Sequence, residues 1–138
     1  SPMLLEKMDV KVSEGRLRVP VVASLPGEIM GAGVGRGMPD AGAWEIQSCS
    51  PEMNERLGLN HLRFGDLIAV GDVASDWGYG VYEGGIVVGV VSHGASDLGG
   101  HGPGLAIIFS SKRGRIEPAI DRRANVAFYL SLRKDLSW

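Results

Sequence analysis

Apolar positions follow two different periods along this chain, and each change of period marks an element. Pro2 to Met8 reads as a short helix, with Ser1 as its N-cap and proline at the first helical position, where no amide is needed. Beyond Met8 the helical spacing stops. Val10 and Val12 alternate with polar residues, and Gly15 marks a turn. Residues 16–25 form a strand in which Pro20 implies an edge position or a bulge, because proline donates nothing to a ladder. Residues 26–42, rich in glycine and proline, form one long loop.

Alternation returns over Ala43 to Cys49, a strand. Ser50-Pro51-Glu52 then opens a short helix to about Leu57, closed by Gly58. Arg63 to Asp66 is a turn, and Asp66 to Gly71 a buried strand. Asp72 to Gly85 is a second polar loop carrying Trp77, Tyr79 and Tyr82. Ile86 to Val91 is the most β-branched run and is expected to be the central strand. Leu105 to Phe109 is a further core strand. A hairpin-like turn through Gly114 lets Arg115 to Glu117 pair back, and Asp121 to Leu132 is helical by spacing.

About six strands with no regular strand–helix alternation predict a mainly β fold, α+β being the alternative. The core would be a barrel- or sandwich-like sheet with two or three short peripheral helices. The 138 residues suit a single domain over 1–138. Composition narrows the function. Net charge is −2, so there is no basic surplus to hold a phosphate backbone, and nucleic acid is an unfavoured partner. Arg113, Arg115, Arg122 and Arg123 cluster, as a solvated turn and helix start would also arrange them. No apolar run is long enough to span a bilayer. The single cysteine, Cys49, excludes an intrachain disulfide and fits a reducing, cytoplasmic setting. A chain starting at Ser1 reads as trimmed or as a piece of something longer.

Chemistry concentrates in residues 92–104, which hold two of the three histidines. His93, Asp97 and His101 recur every fourth residue, a metal-site spacing on a helix, but the intervening glycines require a loop. That loop would gather His93, Asp97 and His101 as catalytic groups. Asp72, which follows a buried strand, would join His93 and His101 around a divalent metal. Glu28 would act as a general base; it also reads as a solvated loop residue. Asp40, Asp66 and Asp76 are further carboxylates within loops, Asp66 more naturally a turn-former through its own side-chain bonds. Gly33, Gly35 and Arg36 form a candidate nest for an anionic cofactor group, though no helix start or Lys-Ser/Thr pair follows as a phosphate loop needs. A close-packed turn is the alternative. A serine triad lacks the nucleophile elbow, and Cys49 lacks a cationic neighbour.

Several blocks together resemble a known family. They are Val19-Pro20-Val21, residues 28–35 (EIMGAGVG), Leu62 to Leu67 (LRFGDL), Gly89 to His93 (GVVSH), Gly100 to Gly104 (GHGPG) and Ile116-Glu117-Pro118. In this order they resemble the C-terminal part of domain-of-unknown-function family 4438. The resemblance implies a mainly β fold and a correspondence to the C-terminal half of longer members. It implies an N-terminal half or second chain as partner, and it brings no activity. The loop with Trp77 departs from the family pattern. A fainter echo of acetamidase- and formamidase-like amidohydrolases lies in Gly65-Asp66-Leu67 followed by Asp72. Together these readings favour a small-molecule or metal site on the His93–His101 loop, such as a metal-assisted hydrolase would use. The alternative is a non-catalytic assembly domain of a larger protein or homo-oligomer.

Overall fold

The computed structural model describes residues 2–35, 43–75 and 80–134. Its architecture is mainly β: a three-stranded sheet of order β1-β2-β8 and a five-stranded sheet of order β3-β5-β6-β7-β4, curled into a half-barrel. The strands are β1 (Lys11–Ser13), β2 (Arg16–Val21), β3 (Ala23–Leu25), β4 (Trp44–Glu45), β5 (Leu67–Val73), β6 (Val81–His93), β7 (Gly104–Ser111) and β8 (Ile116–Ile120). Three short helices accompany them: α1 (Pro2–Lys7), α2 (Pro51–Leu57) and α3 (Val126–Tyr129).

Alternation along β5 and β6 feeds two cores. Ile68, Val70, Val87 and Leu105 face one way and pack with Trp44 and Ile46 inside the curl. Leu67, Ala69 and Val88 face the other way, against Val19, Val21 and Ile116 of the small sheet. A five-stranded sheet covered on both faces needs β-branched residues on both, which explains the near-continuous apolar run of β6. β6 is the middle strand of that sheet, as its composition indicated.

Pro20 is tolerated because β1 stops short of it. β1 pairs with Arg16 to Arg18 alone, and Pro20 faces Ala119 only on the β8 side, so the proline sits at a local edge. The chain then changes sheets at Val22, whose amide donates to the Leu67 carbonyl. Ser50 caps α2 through the Met53 amide, and Gly58 ends it at φ 68°, both as read from sequence.

Two local expectations are corrected. Arg115 to Glu117 does not pair back on β7. β8 runs parallel to β2, with Leu17 opposite Ile116, because Ile116 is buried in the core between the sheets. The helix expected over Asp121 to Leu132 shrinks to one turn. Ala124 and Asn125 are drawn onto the start of β5, where Asn125 bridges Asp66 and the Ala124 carbonyl accepts the Leu67 amide. Asn125 then caps α3. No helix among the described residues is long and apolar enough to cross a membrane.

Candidate functional site

The histidine loop is bound into the end of the five-stranded sheet at several points. The Gly100 carbonyl accepts the Ala32 amide, the His101 carbonyl accepts the Ser48 amide, and the Pro103 carbonyl accepts the Ile46 amide. Buried Ser48 clamps the loop from below: its Oγ donates to the Ser96 carbonyl at 2.8 Å and accepts the Ser96 amide at 2.9 Å. The loop packs backbone against backbone here. A side chain at Gly102 would collide with the Ile46 carbonyl, and one at Gly31 with the Gly100 carbonyl.

That anchoring brings His101 to the carboxylate of Glu45 on β4, and the sheet pairing puts His93 on the same face. Glu45 faces Gly104 across the β4–β7 pair, and Gly104 faces His93 across the β7–β6 pair. Directly opposed residues share a face of the sheet, so His93, Gly104 and Glu45 form one row across three strands. A bulge between Val91 and His93 produces this row, since regular pairing would have put Ser92 opposite Gly104. Ser92 instead donates its Oγ hydrogen to the Gly104 carbonyl at 3.1 Å. The His93 ring lies over Gly104, in the space a side chain there would fill.

His101 reaches the row from the loop. Its Nδ1 is 2.9 Å from Glu45 Oε2, and the same oxygen accepts the Gly102 amide at 3.1 Å. An ionised carboxylate only accepts, so the imidazole donates from Nδ1 in this contact, and in the neutral ring Nε2 is the acceptor. The His101 side chain is half exposed, that of Glu45 one-fifth. Burial pushes the Glu45 carboxyl up, but the Gly102 amide, the His101 bond and the nearby His93 outweigh it and hold its pKa below the ordinary value. Beside the row, a cavity of about 210 Å³ is lined by His93, Ser48, Asn54, Leu59, Leu62 and Pro103, among others.

The other candidates are placed elsewhere. β5 and β6 are antiparallel neighbours, so the end of β5 meets the start of β6. Asp72 accepts the Gly84 amide at 2.9 Å, and along β6 Gly84 lies roughly 30 Å from His93 at ~3.3 Å per residue. The expected Asp72–His93–His101 metal set is therefore not brought together. Asp72 sits at φ 57° on the β5 bulge and serves that irregularity. Among the described residues, no group of three His, Cys, Asp or Glu side chains that could hold a metal ion is assembled.

Asp97 is exposed beside Ser48, Cys49 and Ser96, not on the Glu45 row. Glu28 is exposed on a 3-10 turn, Gly27–Ile29, whose Gly27 packs against Gly71 at the Asp72 end. Gly33 and Gly35 both adopt φ 87°, and the turn is close-packed on Ala43 and Gly80. Arg36, Asp40, Asp76, Trp77 and Tyr79 lie outside the described residues. Asp66 is the turn-former its setting suggested, and more: fully buried, it binds the Arg63 amide at 2.8 Å, the Arg63 guanidinium at 3.0 Å and Asn125 Nδ2 at 2.8 Å.

Sequence reasoning missed Glu45. The signal available was an acid on the polar phase of a strand whose other phase, Trp44 and Ile46, is fully apolar; nothing local tied it to a loop more than fifty residues away.

Comparisons with known proteins bear on the whole chain. A family model described as "Domain of unknown function (DUF4438), C-terminal" matches residues 7–130. The solved structure "Crystal structure of TM1086" is similar at 34% identity and a TM-score of 0.82, over 94% of this chain. The match spans 45% of the TM1086 chain, so the present chain covers about half the length of that relative. No curated protein matches the chain.

Proposed function

The chain belongs to the C-terminal DUF4438 family, and from that premise we propose that it carries a small-molecule site at the Glu45–His101 end of the curled sheet and acts there as a hydrolase. The observation that carries this reading is one carboxylate, anchored by a backbone amide, that orients one imidazole and shares its sheet face with a second. Carboxylate-oriented histidines are a recurrent acid–base device, because the carboxylate fixes the tautomer and balances the charge formed when the imidazole takes a proton.

In this mechanism His101 Nε2 takes a proton from water as that water attacks the substrate carbonyl. Glu45 holds the ring and stabilises the imidazolium. His93, at the wall of the adjacent cavity, donates a hydrogen bond to the carbonyl oxygen or a proton to the leaving group. Asp97 and Glu28 have no part in it, since neither stands on the row.

The test is turnover of small amide and ester substrates by the wild type, Glu45→Gln and His101→Ala. Loss of about 10²-fold or more in kcat for both variants is expected. Turnover indifferent to His101→Ala would sink the reading.

An assembly role has its own support. The TM1086 chain carries as much sequence again as the match covers. Exposed apolar side chains on α1 and β1 (Met3, Leu5 and Val12) offer a surface for a further domain or a second copy. In this reading the site is completed by the partner, and sedimentation of the chain alone against a longer family member tests it.

A further inference from the structure

The geometry points to a second ligand site: the crevice between Val22, Leu62 and Ile120 binds a monocarboxylate with an apolar body of medium size, its charge held by Arg122. The crevice is a separate cavity from the one beside His93, with Leu62 lining both, and the proposal does not rest on the hydrolase reading.

The crevice exists because two parallel strands part. β2 and β8 stay in register up to Val21 and Ile120. The Val21 carbonyl still accepts the Asp121 amide at 2.9 Å, but the next amide, that of Val22, donates to the Leu67 carbonyl of the other sheet at 2.7 Å. The chain after β8 folds into a turn instead, in which the Asp121 carbonyl accepts the Ala124 amide and the Asp121 carboxylate accepts the Arg123 amide. Leu57, His61 and Leu62, from the end of α2 and the turn after it, close the third side of the gap. Open sheets bind ligands at such places, outside the carboxyl ends of parallel strands that diverge.

The cavity measures about 450 Å³, within the ~300–1,000 Å³ of small-molecule sites. Val22, Leu57 and Leu62 are half-buried and pack on the core from outside, so the walls are apolar. Ile120 stands at the rim with 66% of its surface exposed, area that an apolar ligand would cover. Among the described residues no acid lines the cavity, and its one permanent charge is that of Arg122. The backbone under Arg122 is fixed, because its carbonyl accepts the Arg63 guanidinium at 2.8 Å. Its own guanidinium meets no carboxylate among the described residues, since the neighbouring acid, Asp121, pairs with Arg123 at 3.7 Å. A guanidinium presents two parallel donors that match a carboxylate. One such cation above apolar walls suits a single carboxylate with an apolar tail.

The test is NMR titration of the isotope-labelled 138-residue chain with hexanoate, hexanamide and acetate, read at the Ala23, Gly58 and Arg122 amides. Hexanoate is expected to shift all three. Hexanamide, which lacks the charge, and acetate, which lacks the body, are expected to bind at least about 10-fold more weakly. Arg122→Gln should lower hexanoate affinity about 10-fold and leave hexanamide affinity unchanged. The variant keeps the carbonyl that Arg63 uses, and Arg123→Gln controls for the loss of a nearby charge. Hexanoate shifts absent from those amides, equal affinity for hexanamide, or equal losses in Arg122→Gln and Arg123→Gln overturn the proposal. Sedimentation of the wild type and Ile120→Ser tests the other occupant. Self-association that Ile120→Ser abolishes gives the crevice to a second copy of the chain and overturns the carboxylate site.

Discussion

The imidazole of His93 occupies the side-chain space of Gly104, its partner across the β6–β7 ladder. Any Cβ at position 104 would meet the ring. Gly104→Ala is expected to push His93 out of the row toward solvent and to cost less than about 1 kcal/mol, because the atoms it meets are the far end of an exposed side chain. Urea denaturation measures the cost. The His93 ring resonances report the displacement, and a variant in which they stay put would show that the ring does not need the glycine.

Glu45 makes acid the vulnerable side of the histidine loop. Its pKa is lowered in the folded chain, so the folded state binds fewer protons than the unfolded one in the acid range. The stabilisation is present above the unfolded value of about 4.5 and is lost as pH falls through the lower folded value. Glu45→Gln should flatten that acid loss. At neutral pH it should cost about 1 kcal/mol, since the amide replaces a charge-assisted acceptor at a partly exposed position. Thermal melts of both proteins from pH 7 down to pH 3 check this; parallel curves would contradict it.

Asp66 is the most consequential polar residue for stability. It is fully buried, and its carboxylate holds Arg63 and Asn125 together beneath the start of β5. Asp66→Ala removes the acceptor shared by the Arg63 amide, the Arg63 guanidinium and Asn125 Nδ2, while Arg63 keeps the Arg122 carbonyl and Asn125 the Phe64 carbonyl, and a loss of about 2–3 kcal/mol is expected. A shift in the denaturation midpoint below that corresponding to about 1 kcal/mol would mean the network is not coupled to folding.

Tyr129 governs the alkaline side. Burial pushes its phenol up to about 12, helped by the Asp121 and Asp9 carboxylates and opposed by Arg123. The unfolded chain loses this proton near pH 10 and the folded chain only near 12, so stability falls as pH rises between them. The Tyr129 hydroxyl has no hydrogen-bond partner among the described residues. Tyr129→Phe should therefore be neutral or slightly stabilising at pH 7 and should lessen the loss between pH 10 and 12. Equilibrium unfolding at those three pH values decides.

Much of the architecture was legible because its causes are local. The β-branched run of β6, the Ser50 cap and the Gly58 stop of α2 each act within a few residues. Helix 121–132 was overread for the opposite reason: Asn125 is claimed by Asp66, a partner distant in sequence, before the helix can begin. The Asp72 assignment failed on strand direction. β5 does lie beside β6, but whether two strands run parallel or antiparallel depends on the connection, and here the antiparallel pairing puts Asp72 and His93 at opposite ends.

By itself the sequence determined the class of fold, the central strand, the α2 boundaries and the segment that bears the histidines, since period, capping and glycine content act over neighbouring residues. Only the tertiary structure decided which acid those histidines meet. Glu45 joins them through two ladder pairings and one β-bulge, and a bulge that shifts the register by one residue exchanges which side chain faces the row. No local pattern carries that information, because it belongs to how β4, β6 and β7 lie against one another.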